Sequence, residues 1–253
     1  MLCVLPVCVR TRTGRRRENR QVGVRMNEMV NEKENYSALN KLVMDLGGSL
    51  FGVADIRALK DSFVDLPPRQ IEGLDYGISV GVRLSKRVIE GIEDRPTQLY
   101  FHHYRQLNNL LDQIAVKLTG HIQKEGWDVL PIAASQIIDW ENQKAHISHK
   151  RIAVQAGLGF LGRNNLLVNP KFGSRVRLVT LLTNIPLLVD SSLDRDCGNC
   201  RECIPVCPVG AIKERQEDFD HLGCFEKLRG FRKECNIGQY ICGVCIKACS
   251  GVE

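Results

Sequence analysis

The stretch Cys197-Gly198-Asn199-Cys200-Arg201-Glu202-Cys203-Ile204-Pro205-Val206-Cys207-Pro208 places four cysteines within eleven residues. Three thiolates two residues apart can wrap three corners of an iron–sulfur cube in one tight turn of backbone. The proline-led turn after the fourth carries Cys207 away toward a second cube. Structural zinc prefers paired C-x2-C arms. The run therefore predicts 4Fe-4S clusters, and Val209-Gly210-Ala211-Ile212 predicts a short helix just after the proline.

The second half of the pattern is degenerate. Cys242-x2-Cys245-x3-Cys249 repeats the last three positions, Gln239 occupies the first, and Ser250 stands where a second proline is usual. One ligand must come from elsewhere, and Cys224 and Cys235 are the candidates. Crossing over as in two-cluster bacterial ferredoxins makes one site of Cys197, Cys200, Cys203 and Cys249. The other is Cys207, Cys242, Cys245 and either Cys224, which is preferred, or Cys235 as the alternative. Of the eleven cysteines only Cys3 and Cys8 lie outside residues 197–249. An odd number crowded at one end, with no signal peptide, suggests metal in a reducing, cytoplasmic compartment rather than a disulfide framework.

The chain has 253 residues, 43% of them hydrophobic and 25% charged, which is ordinary globular usage and excludes disorder, collagen and coiled coil. No apolar run approaches the roughly 18 to 20 residues of a membrane span. The net charge of +6 belongs to the N-terminus. Residues 1–25 carry Arg10, Arg12, Arg15, Arg16, Arg17, Arg20 and Arg25 against Glu18 alone, and the body is neutral. A nucleic-acid footprint over the folded surface is not implied. The basic stretch reads as an upstream extension with Met26 as the biological start, with a solvated arm or a targeting peptide as the alternatives; the last lacks an apolar core segment.

Hydrophobic periodicity organises the rest. Glu34 to Leu46 reads as a helix stopped by Gly47-Gly48, Leu50 to Ala54 as a buried strand, and residues 57–73 as loop with a helical turn. Ile78, Val80 and Val82 alternate with small residues in a second strand, Tyr76 to Val82. Thr97 to Lys124 is a long helix with an apolar stripe through Leu107, Leu110, Leu111, Ile114, Leu118 and Ile122. Val129 to Ala134 is a further strand, and Ser148 to Ala156 a helix leading into Gly157-Leu158-Gly159-Phe160-Leu161-Gly162. Strands Leu166–Val168 and Val176–Leu182 flank the turn Asn169-Pro170-Lys171-Phe172-Gly173. Without regular βαβ alternation, this is an α+β domain. The expected organisation is a basic extension over 1–33, the α+β domain over 34–190, and a ferredoxin-like double-cluster domain over 191–253, with Asp190 to Asp196 a polar linker.

The segment Ser148-His149-Lys150-Arg151-Ile152-Ala153-Val154-Gln155-Ala156-Gly157-Leu158-Gly159-Phe160-Leu161-Gly162-Arg163-Asn164-Asn165 resembles the A-x-x-A-G-L-G-W-I-G-K-N stretch of epoxyqueuosine reductases. The likeness continues through Leu166 to Pro170, Gly173-Ser174, Thr183 to Leu187 and the double-cluster module. That family and the related reductive dehalogenases carry cobalamin on a nitroreductase-like α+β domain beside two 4Fe-4S clusters. The resemblance implies a corrinoid reduced through the clusters to nucleophilic cobalt(I). It also implies a cofactor-binding set of Tyr104, Arg105, Gly157, Leu158, Gly159, Gly162, Arg163, Asn164 and Ser174. In the family the glycine loop lies against the corrinoid; the same Gly157-x-Gly159-x2-Gly162 superficially matches a dinucleotide fingerprint, but it follows a helix rather than a strand.

The family's proton donor is matched by Asp139, in a longer segment where Trp140-Glu141-Asn142 replaces the proline-containing continuation. General acid chemistry would want its carboxyl protonated by burial. His146-x2-His149 could pair on one helix face, but no third metal ligand is in sight. The implied partners are a low-potential electron donor of ferredoxin or flavodoxin type and a small-molecule substrate or corrinoid protein. No membrane is implied. The neutral body and the short C-terminus after Cys249 argue against tRNA. The competing reading is a non-enzymatic electron-transfer or corrinoid-reactivating protein, which needs no proton from Asp139.

Overall fold

In the computed structural model, residues 31–251 are described; the basic stretch over 1–25, Met26, Cys3 and Cys8 lie outside them. Residues 31–45 form α1, which begins before Glu34. Leu39 and Val43, four apart and so on one face, are fully buried. Gly47 closes the helix at φ +95°, a conformation that costs glycine little.

Next come β1 (Leu50–Asp55), a 3-10 turn over Arg57–Ser62, the single turn α2 (Pro68–Ile71) and β2 (Tyr76–Arg83). The short α3 (Lys86–Glu90) precedes α4 (Gln98–Lys124), whose first turn is capped by the Thr97 hydroxyl accepting from the Tyr100 N–H. Then follow β3 (Val129–Ile132), α5 (His149–Gln155), the two-residue strands β4 (Phe160–Leu161) and β5 (Leu167–Val168), and β6 (Val176–Thr183). The C-terminal part adds α6 (His221–Glu234) and α7 (Val244–Ala248).

The main sheet is antiparallel with order β1-β2-β6-β3, and β4 pairs with β5 in a separate hairpin. One sheet face (Phe51, Val53, Ile78, Val80, Val82, Val179, Leu181) meets α1 and the stripe of α4. Ile237, Ile241 and Val244 from the cysteine-rich region join the same core, so the region is packed onto the sheet domain. The other face carries α5, and here the small residues of β1 and β2 find their reason. A Cβ on Gly52 would collide with the Ala156 carbonyl, and one on Gly77 would lie 3.0 Å from Ile152 Cγ2. The alternation of large and small residues in β2 therefore sets how closely α5 can approach.

Three expectations need correction. Residues 209–212 are not helical, because Gly210 turns into the left-handed region at φ +59°. β3 ends at Ile132 rather than Ala134. Asp190 is not a free linker residue: its carboxylate accepts from the Val53 N–H at 2.8 Å and the Tyr36 hydroxyl at 3.0 Å, and its own N–H donates to Val53. Among the described residues, no helix is long and apolar enough to cross a membrane.

Candidate functional site

The fold gathers eight cysteines into two groups. Cys203 is buried, and its thiol is pushed up to about 11 by burial, with Cys249, Cys197 and Cys200 adding to the shift. Cys224 and Cys242 are likewise raised to about 11, first by burial and then by Cys207 among their neighbours. Cys245 stands well above the ordinary thiol value for the same reason, with Cys242 and Cys224 nearest in effect. Thiols crowded this way resist ionising together, and a bound cation relieves that resistance by taking them as thiolates. Cys235 stands apart at the end of α6, where Arg95, Glu234 and Asp94 surround it.

Two arginines from the sheet domain hold the loops of the first group. Arg163 donates through its guanidinium to the carbonyls of Glu214 (2.6 Å), Cys200 (2.8 Å) and Gly198 (2.9 Å). Arg175 donates to the carbonyls of Ile246 and Lys247, at the end of α7 just before Cys249. Gly173, at φ +60°, packs directly under Cys249: a Cβ there would run into the Cys249 carbonyl and come within 2.6 Å of the Gly251 N.

Two cavities adjoin these groups. The smaller, about 260 Å³, is lined by all four of Cys207, Cys224, Cys242 and Cys245, together with Tyr100, Tyr104 and Asn164. Cys235 does not line it. The larger, about 530 Å³ and open to solvent, lies between α5, the start of β6 and residues 143–148. Lys150, Leu166, Arg177 and Ile246 belong to the walls of both.

Lys150 Nζ donates to Asn165 twice, to its carbonyl at 2.8 Å and its side-chain oxygen at 2.7 Å. Burial, with Arg151 beside it, lowers its pKa to about 8. His149 is held neutral, its pKa drawn down to about 4 by burial, with Nε2 at 2.9 Å from the Ala133 carbonyl and Nδ1 at 2.8 Å from the Thr180 hydroxyl. His146 instead faces the Val64 carbonyl, so the two histidines do not converge on a metal. Arg177 lies over the Tyr104 ring at 4.3 Å and donates to Asn108. These lining cations escaped the sequence reading; the signal available was a lone arginine inside the apolar strand Val176–Thr183.

The residues singled out from sequence divide sharply. Ser174 lines the larger cavity, and Tyr104 and Asn164 the smaller, where Asn164 donates to Ser174 at 2.8 Å. Arg105 is exposed over Phe101 and lines neither. Gly157, Leu158, Gly159 and Gly162 also line neither cavity. Their smallness serves backbone packing: a Cβ on Gly159 would strike the Val168 carbonyl, one on Gly157 would lie 2.7 Å from the Ser191 carbonyl, and one on Gly162 would lie 2.5 Å from Val168 Cγ2. Leu158 is core, and β4 begins inside the supposed loop.

Asp139 is not buried in a cavity but paired in a bridge with Lys144, its carboxylate accepting from the Asn142 N–H at 2.9 Å and side-chain amide at 2.8 Å. Those bonds hold its pKa below the usual carboxylate value, the opposite of a carboxyl kept protonated by burial. The neighbouring Trp140 packs its ring 5.1 Å from that of Tyr240.

An antiparallel sheet carrying a cysteine-rich module defines the class of fold, and known proteins resemble it in fold. No family model matches the chain. It is 33% identical over 111 residues to the epoxyqueuosine reductase of Bacillus anthracis, covering 41% of this chain and 29% of that protein. It is 35% identical over 121 residues to the Pseudomonas aeruginosa enzyme of the same name, covering 46% and 32%. The matched segments thus span about a third of these relatives' length. In structure it resembles a catabolic reductive dehalogenase solved with 3-bromo-4-hydroxybenzoic acid (TM-score 0.61, 21% identity, covering 73% of this chain and 26% of that one). It also resembles epoxyqueuosine reductase from Streptococcus thermophilus (TM-score 0.55, 20% identity, 84% and 64%). The chain therefore resembles the epoxyqueuosine reductases in sequence and shares its mixed α/β fold with them and with the dehalogenase.

Proposed function

We propose that this chain is an iron–sulfur reductase of the epoxyqueuosine reductase type, with two 4Fe-4S clusters and a corrinoid in the larger cavity. The observation that carries the reading is the shared wall. Four cysteines line one cavity, and that cavity abuts a second, open one through Lys150, Leu166, Arg177 and Ile246. Cys197, Cys200, Cys203 and Cys249 would hold the first cluster, and Cys207, Cys224, Cys242 and Cys245 the second. Among the described residues, no three His, Cys, Asp or Glu side chains are close enough to hold a single ion. A cubane spreads its ligands over four iron corners and suits that wider spacing.

Support for the reading comes from the cavity wall: Ile147, Leu166, Leu167, Val176, Leu178 and Ile246 supply apolar surface, and Ser148 and Ser174 supply hydroxyls. When bound, a corrinoid supplies a metal centre that accepts electrons from the clusters and delivers them to substrate. The chain's own part is to exclude water on the sheet side and to place cationic groups where negative charge accumulates. An external low-potential donor would load the first cluster, whose Cys200 is exposed.

A second reading, a non-enzymatic relay or corrinoid-reactivating protein, is favoured by one observation: no carboxyl lines the larger cavity. One set of experiments separates the readings. Protein reconstituted with iron and sulfide under nitrogen should hold roughly eight irons and eight labile sulfides per chain. Cys224→Ser should lose one cluster and Cys235→Ser neither. Cobalamin should then bind stoichiometrically, with a shift in its absorption spectrum. Asp139→Asn should lower turnover by about 100- to 10,000-fold if Asp139 swings in as the acid, and leave electron transfer to cobalamin intact. Failure to bind any corrinoid would remove the leading reading, and unchanged turnover in Asp139→Asn would leave the aspartate a purely structural turn residue.

A further inference from the structure

Tyr100 stands in the first turn of α4, where its N–H is taken by the Thr97 hydroxyl at 3.1 Å. Only 1% of it is exposed, and it lines the smaller cavity beside Cys207, Cys224, Cys242 and Cys245. Its ring lies against Gly243, the residue that follows Cys242. Gly243 adopts φ +89°, and a Cβ there would stand 2.8 Å from Tyr100 Cε1 and 3.1 Å from Cζ. Only glycine gives the ring that room. Cζ carries the hydroxyl, so the polar end of Tyr100 sits at the turn that joins Cys242 to Cys245.

Among the described residues, the Tyr100 hydroxyl has no hydrogen-bond partner; only the backbone N–H of this residue is bonded through a side chain. The other two tyrosines of the cavity are partnered. The Tyr104 hydroxyl lies 3.4 Å from the Ser135 hydroxyl, and that of Tyr240 accepts from Arg232 at 3.1 Å. A phenol buried without an acceptor is costly unless a ligand supplies one. Burial above all pushes the Tyr100 phenol up, and Cys245 and Cys242 are among the groups that add to it, so it stays protonated and able to donate. Sulfur in this group already accepts: Cys207 Sγ takes the Ala211 N–H at 3.3 Å.

We infer that the Tyr100 hydroxyl donates a hydrogen bond to a sulfur of the cluster at Cys207, Cys224, Cys242 and Cys245, and thereby raises that cluster's reduction potential. The inference rests on the two-cluster reading and assigns a tuning residue within it. Reduction adds one negative charge to a cluster, and a donor stabilises the more charged state more, so hydrogen bonds to sulfur shift the potential upward. The four thiolates hold the cluster, and the hydroxyl is not needed to assemble it. An electron entering near the exposed Cys200 would then run downhill to the buried second cluster, which adjoins the larger cavity.

The test is a redox titration of the reconstituted full chain, wild type against Tyr100→Phe, followed by electron paramagnetic resonance of the reduced clusters. Tyr100→Phe keeps the ring and removes only the hydroxyl. It should hold the same iron and sulfide as wild type. One of its two waves, the one missing from Cys224→Ser, should move down by about 60 mV, a tenfold change in a one-electron equilibrium constant. The other wave should stay in place. After exchange into heavy water, a deuteron coupled to the reduced second cluster in wild type should be missing in Tyr100→Phe. Two clusters whose waves do not move, or a coupling that persists in the variant, would overturn the proposal and leave the two-cluster reading standing. Loss of the second cluster from Tyr100→Phe would also overturn it, because the hydroxyl would then serve assembly and not potential. Wild type that holds iron for a single cluster would remove the two-cluster reading and the proposal with it.

Discussion

Arg163 donates to the Cys200 carbonyl at 2.8 Å and, through the other arm of the same guanidinium, to the Gly198 carbonyl at 2.9 Å. One side chain of the sheet domain thus fixes the turn that carries the first cysteines of the module. The resemblance marked this position as a cofactor contact; its hydrogen bonds make it a brace for the loop. A turn that must present thiolates to a cluster gains most from such bracing before the cluster arrives, because the carbonyls it engages would otherwise be free to rotate with the peptide.

Arg163→Met should therefore destabilise the folded chain by about 2 kcal/mol, the worth of a charged hydrogen-bonding group with several acceptors. The cluster proposed at Cys197, Cys200, Cys203 and Cys249 should be lost faster than the other on exposure to chelator. Iron content after timed chelation checks this. Equal loss from both sites would show that Arg163 does not brace the first loop.

Gly173 allows a second prediction. Alanine there meets both a left-handed backbone and the Cys249 carbonyl, whereas Gly73, at φ +75°, has open space around it. Gly73→Ala should cost about 1 kcal/mol, from backbone strain alone. Gly173→Ala should cost more than about 3 kcal/mol and displace the Cys249 turn. Comparing denaturant midpoints and iron content of the two variants reads the difference.

What the sequence revealed and what it hid divide along one physical line. The stripe of α4, the alternation in β2 and the cysteine spacings are local patterns, and each element lies within a few residues of its expected place. The packing of the glycines of 157–162 was hidden because their neighbours, Val168 and Ser191, are set by strand pairing and chain return rather than by adjacent residues. Lys150 lies inside the very segment quoted for the resemblance, yet its lowered pKa comes from burial that only the assembled cavity creates. Asp190 looked like linker because its partners, Tyr36 and Val53, stand more than a hundred residues away in the chain.

Asp190 yields a prediction with a spectroscopic readout. Burial, and then the Asp190 charge, push the Tyr36 phenol up to about 12. Asp190→Asn removes the charge and keeps the shape, so Tyr36 should ionise at lower pH, part of the way back toward 10. Loss of a bond to an ionised acceptor should also cost about 1.5 to 3 kcal/mol. Phenolate absorbance against pH follows the first effect and denaturant unfolding the second; an unmoved phenolate transition would mean that burial alone sets it.

His149 gives the pH dependence of stability a definite sign. Its imidazole is neutral in the fold, with its pKa lowered to about 4 by burial between the Ala133 carbonyl and the Thr180 hydroxyl. In the unfolded chain it takes up a proton near pH 6.5. Between those values the unfolded state binds more protons, so stability is fully present above about pH 6.5 and is lost as the pH falls toward about 4. From about pH 7 to about pH 5 the wild type should lose about 2 kcal/mol more than His149→Gln, whose amide can still donate to Ala133 and cannot titrate. Unfolding free energies of the two proteins across that range decide the matter. Parallel curves would mean that the buried imidazole accepts its proton without leaving the fold, and that the Thr180 hydroxyl turns to accept from it.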